Sequence, residues 1–246
     1  MKLLGAEHPD TLTSMGSLAS TYFRQGKLKE AEQLEVQVLE MRKKQLGAEH
    51  PHTLISMGNL ANTYCHQRKL DKAEKLEVQV LNMRKKLLGA EHLDTLTSMG
   101  SLASIYYHQG KLNEAEQLGI QVLDMRKKLL GAEHPDTLIS MGDLARIYCY
   151  LGKLKEAERL EVQVLDTRKK PFGEEHPDTL TSMGSVTNFY LSPCSFFITN
   201  MLIPHFPQSL RHAQHLMVTT CIPHHFLTYT TTLSSINITH RLYSSP

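Results

Sequence analysis

The chain has 246 residues, 41% hydrophobic and 21% charged, within the ordinary range of soluble sequences. Residues 1–190 carry all 25 acidic residues and all but two of the 27 basic ones, so this region has no clustered excess of Lys and Arg and excludes a nucleic-acid or anionic-membrane surface. Four scattered cysteines exclude a disulfide framework, and no apolar run reaches the ~18 residues that span a bilayer.

Met1-Lys2-Leu3-Leu4-Gly5 is too polar at its flank to open a signal peptide, so a cytoplasmic protein is expected. The same five residues match the end of a later helix, Lys43-Lys44-Gln45-Leu46-Gly47, which places the start of the chain inside a repeating unit, as in a shortened array or an incomplete gene. From Gly5 onward a unit recurs every 42 residues, opened by Gly5, Gly47, Gly89, Gly131 and Gly173. Tyr22, Tyr64, Tyr106, Tyr148 and Tyr190 keep the same spacing. A fixed period of this length marks a stacked solenoid. The units are 5–46, 47–88, 89–130 and 131–172, with a partial fifth at 173–190.

Within the first unit Pro9 suits the first helical position, where a missing N–H costs nothing, and Asp10 adds an acid at the positive end of the helix. Leu12, Met15, Leu18, Ala19 and Tyr22 follow at helical spacing and form one apolar stripe, ended by Gly26. A second helix starts near Lys27, buries Leu28, Ala31, Leu34, Val38 and Leu39, and stops at Gly47 after the basic turn Arg42-Lys43-Lys44. Each unit is a helical hairpin, here called helix A and helix B, with apolar flanks that only the next copy can cover.

The later copies depart in single places. Unit two has Arg68 where the others have Gly, a cost of about 1 kcal/mol if that residue is left-handed. Unit three has Leu93 for the linker proline and Gly119 inside helix B, the latter costing about 1 kcal/mol. Unit four ends in Pro171-Phe172 in place of a helical pair. After Tyr190 the pattern stops, and residues 191–246 contain no Asp, Glu or Lys. Their Ser, Thr, His and Pro content reads as a disordered or poorly packed tail, and as sequence beyond the true repeat frame.

These residues resemble the tetratricopeptide repeat. With Tyr22 on that motif's helix-A tyrosine, Met15, Leu18, Ala19, Gly26, Ala31 and Leu39 fall on its other signature positions. The 42-residue period and the Gly-Ala-Glu-His-Pro-Asp-Thr linker are similar to the longer kinesin-light-chain subtype, which also forms arrays in large nucleotide-switch receptors. The resemblance implies an all-α fold, a right-handed α-solenoid of stacked antiparallel hairpins over residues 1–190, and a non-catalytic scaffold that binds a protein or peptide segment in its concave groove. The alternative is a spacer or receptor fragment with no ligand of its own. On helix B, Glu35, Glu77, Gly119 and Glu161 replace the usual aromatic, and Val38, Val80, Val122 and Val164 replace the usual small residue.

Smaller motifs give way to the repeat. His-Pro-Asp is the loop by which J-proteins act on their ATPase, yet here it recurs as a linker and is altered at Pro51-His52 and Leu93-Asp94. His205, His212, His215, His224 and His225 with Cys194 and Cys221 match no zinc spacing, so no metal or other cofactor is expected. Asn237-Ile238-Thr239 is a glycosylation triplet without a secretory signal. There is no Gly-rich phosphate loop and no nucleophile with a plausible base, so no enzyme is expected.

On tetratricopeptide geometry the groove is lined by four helix-A columns, in which otherwise copied units differ. These are Ser17/Asn59/Ser101/Asp143, Ser20/Asn62/Ser104/Arg146, Phe23/Cys65/Tyr107/Cys149 and Arg24/His66/His108/Tyr150. The expected contacts are Arg24, Asn59, Asn62, His66, Tyr107, His108 and Arg146: amides for ligand backbone, aromatics for stacking, arginines for acids. A carboxylate clamp is disfavoured, because Gly and Ser stand where it needs Lys and Asn. Gly16, Gly58, Gly100, Gly142 and Gly184 lie on the same face, read either as close helix contacts or as the floor of a shallow trough.

Overall fold

The computed structural model describes Gly5 and residues 8–172. They form eight α-helices in one compact unit: α1 (Pro9–Arg24), α2 (Leu28–Leu46), α3 (Pro51–His66), α4 (Leu70–Leu88), α5 (Leu93–Gln109), α6 (Leu112–Leu130), α7 (Pro135–Tyr150) and α8 (Leu154–Phe172). No strand occurs among the described residues. The partial fifth unit at 173–190, the 191–246 tail with its histidines, Cys194, Cys221 and Asn237, and Met1–Leu4 lie outside them.

The linker chemistry sets the start of each A helix. His8, His50, His92 and His134 are N-caps in extended backbone, and each Nδ1 accepts the N–H two residues on at 3.1–3.2 Å. Thr11, Thr53, Thr95 and Thr137 then donate their hydroxyls back to the carbonyls of Gly5, Gly47, Gly89 and Gly131 at 2.8–3.0 Å. The recurring Gly…His-x-x-Thr pattern is therefore a pair of backbone bonds. The cap itself was not foreseen, because histidine is not a usual N-cap residue.

Each A helix closes with a left-handed residue, after which the Lys27, Lys69, Lys111 and Lys153 N–H groups bond the carbonyls of the four repeat tyrosines at 2.9 Å. Gly26, Gly110 and Gly152 take φ of 73–78°, and Arg68 takes φ 61° at the same place. The left-handed cap inferred for unit two is thus occupied by a residue with a Cβ. Helix α8 runs through Pro171 and Phe172 to its end. A proline in the last turn forfeits a single helical bond and does not stop the helix earlier.

The core sits between hairpins as much as within them. One cluster joins Leu39 of α2, Leu54, Met57 and Leu60 of α3, and Val80 of α4; equivalent clusters link α4–α5–α6 and α6–α7–α8. Of the expected helix-B face, Ala31, Val38 and Leu39 are buried, whereas Leu28 and Leu34 are half-buried and Glu35 is buried beside them. Leu60, Leu102 and Leu144 are 3–4% exposed, but the equivalent Leu18 is 44% exposed. The covering of one copy by its neighbour accounts for that contrast.

Polar pins fix the stacking. Arg42, Arg84 and Arg126 each donate through Nη1 to the carbonyl of residue 52, 94 or 136 and to the hydroxyl of Ser56, Ser98 or Ser140 at 2.8–3.2 Å. Lys69, Lys111 and Lys153 pair with Glu32, Glu74 and Glu116 of the preceding hairpin. Helix α3 also packs on α5, and α5 on α7, so neighbouring A helices approach one another and form a shared face.

Candidate functional site

On that shared face Asn62, Cys65, Ser101, Ser104, Tyr107, Asp143 and Arg146, members of three of the variable columns, line two cavities. The floor of the face is open at the mid-helix glycines: a Cβ built on Gly16, Gly100 or Gly142 would meet nothing within 4 Å, and one on Gly58 would meet only Glu77 Oε2, at 4.0 Å. Close helix contact, one of the two readings of these glycines, is excluded for the described copies. Gly184 lies outside them.

A cavity of about 260 Å³ opens here, lined by Gly58, Asn62 and Cys65 of α3, Gly100, Ser101 and Ser104 of α5, and Glu77, Arg126 and Asp143 from α4, α6 and α7. A second, of about 30 Å³, adjoins it through Gly100, Ser104, Arg126 and Asp143 and continues to Tyr107, Gly119 and Arg146.

The rings at the helix-A C-terminal ends form cross-repeat pairs. Phe23 meets His66 edge-on at 4.8 Å, and Tyr107 meets Tyr150 at 5.0 Å, one copy's third column against the next copy's fourth. Cys65 supplies no ring at the intervening junction, and the larger cavity lies there. Tyr107 also touches His108 at 5.1 Å and carries the Arg146 guanidinium over its face at 5.2 Å. Arg146 Nη2 holds Asp143 Oδ1 at 2.8 Å.

The charges follow from this packing. Burial, reinforced by the Tyr150 hydroxyl, pushes the Tyr107 phenol up to about 12. Burial and the positive charges of Arg68 and Arg146 hold His108 below its ordinary value. Glu77 is 2% exposed, and burial raises its carboxyl to about 7 against the pull of the Ser98 hydroxyl and Arg84. Burial likewise raises Glu35, Glu161 and Asp143, although the Asp143 side chain keeps half of its surface exposed at the rim.

Of the seven expected contact residues, Asn62 lines the larger cavity, and Tyr107 and Arg146 line the smaller. His66 lies against Phe23, with Nδ1 3.1 Å from the Asn62 carbonyl, and His108 lies between Tyr107 and Arg68. Arg24 and Asn59 are exposed and line neither cavity. Glu77, Ser104, Arg126 and Asp143 were not among the expected contacts. For Glu77 the available signal was a carboxylate placed seven residues before an arginine in three of the four B helices (Glu35–Arg42, Glu77–Arg84, Glu161–Arg168), while Ser104 and Asp143 stood in the variable columns and Arg126 carried no such signal.

Among the described residues no group of three or more His, Cys, Asp or Glu is assembled to hold a metal, and no helix is long and apolar enough to cross a membrane. Cys65 and Cys149 are free thiols, both raised by burial.

Comparison with known proteins agrees with this geometry. Sequence profiles of the tetratricopeptide repeat match residues 11–52, 37–86, 53–128 and 94–170. Two crystal structures of kinesin light chain nearly identical TPR-like repeats from Podosopora anserina are similar to the chain. One is 36% identical over 75% of this chain and 87% of that one (TM-score 0.63); the other is 34% identical over 76% and 88% (TM-score 0.64). BtubC (BKLC) from P. vanneervenii shares the fold, at 18% identity over 87% of this chain and 83% of that one, with a TM-score of 0.65. No curated protein matches the sequence.

Proposed function

This chain belongs to the tetratricopeptide repeat family, in an array of the kinesin-light-chain type, and from that premise we infer that it is a protein-interaction scaffold whose A-helix groove binds an extended peptide segment. The observation that carries the reading is the 260 Å³ cavity on the shared A-helix face, lined in part by residues at which the copies differ, Asn62, Cys65, Ser101, Ser104 and Asp143. A repeat kept only as a spacer has no reason to open its floor at Gly58 and Gly100 while ordering rings and an arginine along the rim.

The groove offers backbone-matching groups at Asn62, Ser101 and Ser104 and a stacking edge at Tyr107 and His108. It holds no nucleophile with a positioned base, and the reading is non-catalytic. Changing Asn62 and Arg146 together to Ala tests it. Loss of captured partners with helicity intact supports the groove, whereas an unchanged partner set leaves the chain as a spacer.

A further inference from the structure

Four departures from the repeat pattern converge on one spot. Gly119 stands where the other B helices carry Glu35, Glu77 and Glu161, Asp143 and Arg146 replace Ser or Asn in their groove columns, and Tyr107 stands where the other copies have Phe23, Cys65 and Cys149. All four line the 30 Å³ notch. In unit two the equivalent space receives the Glu77 carboxyl, packed beside the Ser98 hydroxyl and facing Arg84. In unit three Gly119 brings no side chain there, and the acid comes from the opposite wall as Asp143, which faces Arg126 and Arg146. The carboxylate has moved across the groove, and a notch is left behind.

Ala103, Val122 and Ile147 give the notch largely apolar walls, among which Ser104, Ser140 and the charged groups stand. Arg126 and Arg146 face the one carboxyl of the lining, Asp143, and Glu161 of α8 faces Arg146 from outside it. Arg126 is held by the Asp136 carbonyl, the Ser140 hydroxyl and the Thr97 hydroxyl, and Arg146 by Asp143 and the Tyr107 ring, so both are fixed in place. A ligand carboxylate entering here would meet Asp143, and an ammonium would meet two guanidinium groups. A neutral group that both donates and accepts meets complementary partners on each wall. The volume, enough for a water-sized probe or two, suits the tip of a side chain whose backbone lies in the adjoining 260 Å³ cavity.

We propose that the notch beside Gly119 is a subsite for a primary carboxamide, an Asn or Gln side chain of a peptide lying in the groove. The inference rests on the scaffold reading above. It names which residue type the groove selects and where.

The test is to pan a random linear peptide library on the whole chain and on its G119E variant. The other three copies carry Glu at this position, and a Cβ on Gly119 would press only on the end of the Leu144 side chain, 3.2 Å away. Melting followed by circular dichroism checks the variant's fold, and D143S, a return to the Ser of units one and three, serves in its place if G119E does not fold. The expected result is that peptides recovered on the wild-type chain share Asn or Gln at one position. Replacing that residue by Ala weakens binding about tenfold to the wild-type chain and less than about twofold to the variant. Equal loss on both proteins overturns the subsite. So does a shared position filled by Asp, Glu, Lys or Arg, or by any residue at random, the last meaning a notch that holds water only. Recovery of no peptide at all overturns the scaffold reading and the subsite with it.

Discussion

Gly58 and Glu77 meet on the floor of the groove, where a Cβ built on Gly58 would stand 4.0 Å from Glu77 Oε2, in ordinary contact. A carboxyl that is 2% exposed and titrates at about 7, not at its ordinary 4.5, ties stability to pH. The folded chain holds this proton where the unfolded chain has lost it. The contribution is therefore fully present below about 4.5 and disappears as pH rises through 7. A shift of this size corresponds to about 3 kcal/mol. Glu77→Gln keeps the shape and removes the titration. Urea midpoints for the two proteins should agree near pH 5, and the variant should be the more stable at pH 8. A difference that does not change with pH would mean that Glu77 is solvated in the folded chain.

Arg68 occupies the left-handed cap at φ 61°, where units one, three and four have Gly. Arg68→Gly should stabilise by about 1 kcal/mol, a rise of about 2–4 °C in Tm for a domain of this size. The contact given up, Nη1 to His108 Nδ1 at 3.4 Å, is exposed and weighs little against that gain. A second readout is independent of stability. Removing the Arg68 charge lifts one of the causes that hold His108 low, so the His108 imidazole should titrate at higher pH by NMR.

The hairpins and the left-handed caps were legible in the sequence, because each depends on local chemistry that recurs from copy to copy: Pro after a linker in three of four units, Gly at a cap in three of four, apolar steps of three and four in all. The groove was legible only as columns. Which column members meet depends on contacts between copies, such as Phe23 on His66 or Asp143 against Arg126, and these have no local signature. Glu77 is a related case: the sequence shows it as a replacement for the usual aromatic, and its burial depends on helices packed against α4, which leave no local signature.

Unit two lacks the acid that follows the helix-A cap elsewhere. His52 stands in place of Asp10, Asp94 and Asp136, stacked on the capping His50 at 5.3 Å. His52→Asp should stabilise by about 0.5 kcal/mol through the helix dipole, provided that the His50 cap is kept. His50→Ala should cost about 1 kcal/mol, since the His52 N–H loses its acceptor. Thermal melts of the two single variants check both signs.

The last prediction concerns the same residue type at the same place in two copies. Leu60 is 3% exposed between α2 and α4, while Leu18 is 44% exposed. Leu60→Ala removes buried methyl groups and leaves a cavity, at a cost of about 2–5 kcal/mol. Leu18→Ala removes a side chain already half in water and should cost under about 1 kcal/mol. The same Leu→Ala change is made at the same step of helix A in both copies, so intrinsic helix propensity cannot separate them; only the neighbouring hairpin can. Denaturant titration of both variants reads the difference directly, and equal losses would show that each hairpin holds itself together without its neighbours.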